Sequence, residues 1–145
     1  MYPDSLTLKQ AMAKFFAESG FSERGYSNPI AKAKLGFLPV YFYNSKSRRE
    51  ALEIHDVHHI LAEYDTSLMG EVQITAWEMG SGFKNYNLEV FFVILNLATG
   101  LVLNRKKTLA AYRRGLQSKN FYGRAVDKKM LGKTIGQLRH ELRLQ

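Results

Sequence analysis

The stretch from Arg48 to Gly82 constrains the fold more than any other, because it reads as two amphipathic helices joined by a short polar turn. Apolar residues recur at helical spacing from Arg48 to Tyr64, pause at "DTS", resume from Leu68 to Met79 and stop at "GSG". So short a turn returns the chain antiparallel, and the expectation is a helix hairpin. Similar periodicity predicts helices from about Ser5 to Ser19, Leu88 to Leu103, Lys106 to Ser118 and Thr134 to Leu142. Between Gly20 and Ser47, Pro29, Pro39 and several glycines disfavour a long regular element, so a loop-rich connector with one short helix is expected there. With no internal repeat and no sustained alternation, the predicted class is all-α: a single-domain helical bundle, residues 1–145, around a central helix hairpin that carries a metal site.

The hairpin is chemically loaded. "HDVHHILAEYDTSLMGE" places three of the four histidines within five positions and a glutamate twelve residues after the last of them. At about 100° per residue, His55 and His59 lie about 40° apart on a helix and one turn along it, so two imidazoles can face one ion. Asp56 and His58 flank that pair symmetrically, and spacing does not choose between them as a third ligand. His58 sits nearer the apolar stripe of Ile54, Val57 and Leu61, which favours a packed, hydrogen-bonded histidine. Across the turn, His59 and Glu71 are each six residues from Asp65, hence level in an antiparallel pair, and Gly70 beside Glu71 permits close helix contact. The competing structural reading pairs the histidines with Glu63 or Asp56 and leaves Glu71 solvated near a helix N-terminus.

Composition narrows the chemistry further. The chain has no cysteine, which excludes disulfides, thiolate metal sites and thiol nucleophiles, so the donor set is nitrogen and oxygen, suited to zinc, iron or manganese. A net charge of +8, concentrated in the later half at "NRKK", "YRRG" and "LRHELR", favours anionic partners, with a solvated basic face as the simpler reading. No nucleic-acid motif accompanies that charge, and no nucleic-acid partner is expected. "LEVFFVILNLATGLVL" is apolar on nearly every face but spans sixteen residues and includes Glu89, Asn96, Thr99 and Gly100. Against the roughly 20 apolar residues of a membrane span, it reads as a buried central helix. The start, "MYPDSLTLKQ", has no signal- or transit-peptide pattern, and a cytoplasmic chain is expected, with contact at the inner face of the cell membrane as an extension.

"HDVHH", eleven residues and a glutamate fit HDxxH-x11-E, a long pattern that resembles the Coq4-type family of coenzyme Q (ubiquinone) biosynthesis proteins. The likeness runs from about Lys34 to Leu142 and is strongest through "SRREALEIHDVHHILAEYDTSLMGEVQITAWEMG". It extends to an "A-x-x-x-G" stretch and an "LR-x-x-L" helix near the end. The resemblance implies an all-helical protein whose His55, Asp56, His59 and Glu71 hold a divalent metal, zinc first, with an apolar cavity for a polyprenyl tail. Its implied reaction is oxidative removal of a ring carboxylate at C1 of a polyprenylated aromatic acid, with hydroxylation there. The alternatives are a non-catalytic isoprenoid- or quinone-binding scaffold for other ubiquinone biosynthesis enzymes, and a His-Asp metal phosphohydrolase. Peripheral membrane contact and a homodimer are further expectations.

Overall fold

A computed structural model describes residues 1–19, 30–35, 38–43, 45–83 and 89–144; side chains are described outside residues 30–43, 47 and 89–92. Among the described residues the helices are α1 (Leu8–Ser19), α2 (Lys46–Ala62), α3 (Leu68–Gly80), α4 (Glu89–Leu116), α5 (Lys128–Leu131) and α6 (Ile135–Leu142). The fold is all-α, with one small addition. Strands β1 (Ile30–Leu35) and β2 (Leu38–Tyr43) form an antiparallel hairpin in which Leu35 pairs with Leu38 and Lys34 with Pro39. This corrects the expected loop and short helix. Pro39 argued against a strand, yet each strand of a two-stranded sheet is an edge, where a missing N–H is tolerated.

The hairpin of α2 and α3 forms as the pattern requires. Ser45 caps α2 by accepting from the Arg48 N–H at 3.2 Å, and Ser67 caps α3 by accepting from the Gly70 N–H at 3.2 Å. Between them, Asp65 accepts from the Ser67 N–H at 2.9 Å and from its hydroxyl. The buried stripe expected on α2, Ile54, Val57 and Leu61, joins Ile74 and Trp77 of α3 in one core that also takes Leu8 and Phe15 of α1 and Ile135, Leu138 and Leu142 of α6.

Helix α4 breaks at Asn104, where φ is −156° and ψ 80°, close to the predicted boundary between two helices; the predicted start at Leu88 lies outside the described residues. The Asn104 carboxamide accepts from the Lys107 N–H at 3.1 Å and caps the second half. That half packs backbone to backbone on α3: a Cβ on Gly80 would lie 2.3 Å from the Tyr112 carbonyl oxygen, and one on Gly115 2.2 Å from that of Trp77. The first half is not the buried helix expected. Ile94 is 59% exposed, Val102 85% and Leu103 56%, so an apolar face is left at the surface. No helix among the described residues is long and apolar enough to cross a membrane.

Two arginines from the basic later half work inside the fold. Arg114 donates to the Ala62 carbonyl at 2.7 Å and stacks over Tyr64. Arg139 donates to the Leu61 carbonyl at 3.1 Å, the Tyr2 carbonyl at 3.1 Å, Asp4 at 2.6 Å and Glu63 at 2.6 Å. Together they satisfy carbonyls at the C-terminal end of α2, where cations are also favoured by the helix dipole. The cap residue Glu63 sits in the left-handed region at φ 63°. That costs a non-glycine residue about 1 kcal/mol or more, and the Arg139 ion pair offsets it.

The close contact of α3 and α4 is testable. Gly115→Ala is expected to lose about 2 kcal/mol of stability by overpacking against the Trp77 carbonyl. Gly132→Ala, whose Cβ would meet nothing nearer than 3.5 Å, should stay within about 0.5 kcal/mol of the parent. Urea denaturation midpoints of the two variants check this, and equal midpoints would refute the packing argument.

Candidate metal centre

The site is built where α2 faces the first turns of α3. His55 and His59 lie one turn apart on α2, and their Nε2 atoms approach to 3.1 Å. Glu71, near the start of α3, places one carboxylate oxygen 3.5 Å from His55 Nε2 and the other 3.3 Å from His59 Nε2. The folded-back carboxylate thus reaches both imidazoles. Gly70 makes this possible in a different way from the helix contact expected: a Cβ there would lie 1.9 Å from the Asp65 carbonyl oxygen, so the turn closes tightly over it.

The protons on the two rings follow from their outer partners. His59 Nδ1 lies 2.9 Å from the Tyr64 carbonyl oxygen, which can only accept, so Nδ1 carries the proton. His55 Nδ1 lies 3.0 Å from both oxygens of Glu78 and donates to them. In the neutral rings both Nε2 lone pairs therefore point into the same small space. Two lone pairs 3.1 Å apart repel unless a cation lies between them. Ligands about 2.0–2.1 Å from one ion are roughly 2.9 Å apart at a right angle and roughly 3.4 Å at the tetrahedral angle, and the observed separation falls between.

His55, His59 and Glu71 form the group of ligand atoms within 4.8 Å of one another that could hold a metal ion. Two histidines and one carboxylate suit catalytic zinc and the facial set of non-haem iron alike. Asp56, beside His55 on α2, is half-buried and is not among these converging ligand atoms. His58 is the packed histidine expected. It is fully buried, donates from Nδ1 to Glu78 at 2.8 Å and accepts from the Phe121 N–H at Nε2 at 3.0 Å. Trp77 and Tyr122 stand edge-on to its ring, and Phe121 stacks on it. His140 lies far along the chain on α6 and is not a member of the group.

Glu78, an acidic residue of the hairpin that the sequence offers only as an extra ligand for the phosphohydrolase alternative, belongs to the cluster as a partner of its histidines. It is 3% exposed and accepts from both His55 and His58. A signal was present: Glu71, Thr75 and Glu78 recur at helical spacing and share one face of α3.

The charges of the cluster support one another. Burial pushes the Glu78 carboxyl up, but His55 and His58 outweigh it and hold the group below the usual carboxylate range. For Glu71, burial is likewise outweighed by His55 and His59, and its value falls to about 2. Burial lowers His55, but Glu78 and Glu71 raise it well above the ordinary imidazole value. His58 is lowered, chiefly by burial, and stays neutral.

A cavity of about 170 Å³ opens beside the cluster, lined by Arg48, Leu52 and His55 of α2, Glu71, Thr75 and Glu78 of α3, Phe83 beyond the end of α3, Val93 and Asn96 of α4, and Tyr122. Asn96 donates to the Thr75 hydroxyl at 3.2 Å, tying α4 to the cavity wall. The basic residues from Arg105 to Arg114 do not line it, and Arg114 is committed to the end of α2. Compared with known protein families, with curated proteins and with solved structures, the chain matches none of them.

A titration tests the cluster without added metal. Well above the unfolded imidazole value of about 6.5, His58 is neutral whether folded or not and both carboxylates are ionised, so His55 is the histidine of the cluster whose raised value matters. Its contribution is fully present below the unfolded imidazole value and is lost as pH rises through the folded one. The thermal midpoint of metal-free protein should fall as pH rises above the unfolded imidazole value of about 6.5 and through the raised folded one. That fall should be absent from His55→Gln and from zinc-saturated protein, where the ion replaces the proton. A metal-free parent with the same profile as His55→Gln would contradict the arrangement.

Proposed function

We propose that the chain is a metal-binding protein of the Coq4 type, acting in ubiquinone biosynthesis on a polyprenylated aromatic acid. The observation that carries the reading is the convergence of His55 Nε2, His59 Nε2 and Glu71 beside a cavity. Three of the four residues that the family resemblance implies as ligands meet in that group. Zinc is the first candidate ion and iron or manganese the alternatives.

The cavity suits the substrate's reacting end. Arg48 supplies positive charge for a ring carboxylate, while Leu52, Phe83 and Val93 offer apolar walls that exclude water from the ring. Glu78 and the Tyr64 carbonyl hold the two imidazoles by their Nδ1 protons, leaving both Nε2 atoms for the ion. A bound ion would supply Lewis acidity toward the carboxylate and, if iron or manganese, redox chemistry with dioxygen. The proposed reaction breaks the bond from C1 to the carboxylate, releases carbon dioxide and leaves a hydroxyl on C1. One atom of dioxygen supplies that hydroxyl, and the other is reduced to water by an external two-electron reductant.

A second reading rests on a separate observation. Ile94, Leu101, Val102 and Leu103 are exposed on α4, and just past the break at Asn104 come Arg105, Lys106 and Lys107. An apolar face with a basic border suits an anionic membrane surface, partner biosynthetic enzymes or a second copy of the chain. In this reading the protein presents a lipid precursor to other enzymes from the inner face of the cell membrane, and the metal staples the hairpin. The phosphohydrolase alternative lacks support among the described residues, where a single candidate ligand group is found.

Elemental analysis of tag-free protein is the deciding experiment. About one zinc, iron or manganese per chain is expected in the parent and a loss of most of it in His59→Ala and Glu71→Ala. The protein loaded with iron or manganese, given a prenylated aromatic acid, dioxygen and a reductant, should then release carbon dioxide and form the ring hydroxyl. Metal without turnover would favour the scaffold, and no metal after reconstitution would remove the enzyme reading.

A further inference from the structure

One buried carboxylate has no place in the ligand group and yet touches it. Glu78 lies on α3 two turns beyond Glu71, is 3% exposed, and receives hydrogen bonds from two histidines of the facing helix. An ionised carboxylate so deeply buried is costly unless its oxygens are well bonded. Here Oε1 accepts from His58 Nδ1 at 2.8 Å and from His55 Nδ1 at 3.0 Å, and Oε2 also lies 3.0 Å from His55 Nδ1. His58 is in turn fixed at its other nitrogen by the Phe121 N–H, which leaves its Nδ1 as the donor. The carboxylate therefore cannot turn away from His55 without breaking the bond to a histidine that is itself held.

We propose that Glu78 is a positioning residue that fixes the tautomer and ring orientation of His55 as a metal ligand, with His58 and the Phe121 backbone as its anchor. This rests on the metal-site reading above. The physical content is specific. A carboxylate opposite Nδ1 keeps a proton on that nitrogen, so Nε2 is the atom that faces His59 and Glu71 and is left for the ion, and it increases the basicity of Nε2. A carboxamide in the same place would turn an N–H donor toward one of the nitrogens that now donate. Either His55 or His58 would then lose its bond or change tautomer, and a His55 proton moved to Nε2 would block the ligand position.

The test uses the full chain and zinc ion. Zinc affinity is measured by competition with a chromophoric chelator for the parent, Glu78→Gln, and Glu50→Gln, a surface control on α2. Glu78→Gln is expected to bind zinc about 10- to 100-fold more weakly, with Glu50→Gln unchanged. A folded Glu78→Gln with parental affinity would overturn the positioning role while leaving the metal site intact. A parent that binds no zinc would overturn both. Because Glu78 is buried, nitrogen-15 histidine spectra of the parent provide a second arm that does not depend on the variant folding. Zinc-loaded parent should show His55 protonated at Nδ1 and ligated through Nε2, whereas His55 protonated at Nε2 would overturn the proposal whatever the variant does.

Discussion

A carboxylate placed almost out of contact with water must be surrounded by donors, and the requirement of Glu78 for them organises the centre of this fold. Two of those donors come from successive positions of α2's inner face, so α2 and α3 are locked in rotation as well as distance. The same lock sets where Glu71, two turns earlier on α3, meets His55 and His59. His58 carries the constraint outward to Phe121, and the aromatic rings around it keep it out of contact with bulk water. Apolar packing supplies most of the stabilisation, but it is non-directional. The directional bonds of Glu78 select one alignment among those that apolar packing would accept.

The basic character of the chain divides into two kinds of use. Arg114 and Arg139 are structural, each spanning from the later half back to the carbonyls that end α2, directly behind His59. Arg105, Lys106 and Lys107 border the exposed apolar residues of α4 instead. Net charge alone therefore overstates what is offered to an anionic partner, since part of it neutralises a helix end within the molecule.

The helix hairpin was legible because two signals agreed, the apolar period and the polar turn, and both describe local structure. The pairing of His55, His59 and Glu71 was legible for the same reason: it requires the hairpin and a level register, nothing more. His58 was separable from the ligands because its neighbours at helical spacing are apolar. Glu78 was harder to see, since its significance depends on which face of α3 meets α2, a matter of tertiary packing. The hairpin of β1 and β2 was obscured by Pro39, whose exclusion from strands holds only when both sides are paired. The exposure of the first half of α4 was invisible in composition, because an apolar run does not say whether anything covers it. Family resemblance adds Asp56 to the ligands, whereas the converging atoms described here comprise the other three residues.

Two short stretches, "TLKQ" and "TIGQ", have one feature in common. Thr7 with Gln10 and Thr134 with Gln137 each form a reciprocal cap at the start of a helix, and the two caps pair as an isolated bridge. Leu8 N–H donates to the Lys133 carbonyl at 2.8 Å, and Ile135 N–H to that of Leu6 at 2.8 Å. Helix α1, synthesised well before α6, thus finds this partner only when α6 has left the ribosome. Until then Leu8 and Phe15 of α1 lack part of the core that buries them, and Phe15 is the ring that stacks on His59. The ring that covers His59 is therefore fixed late in the life of the nascent chain, by closure between two segments distant in sequence, after the local hairpin has brought His55, His59 and Glu71 together.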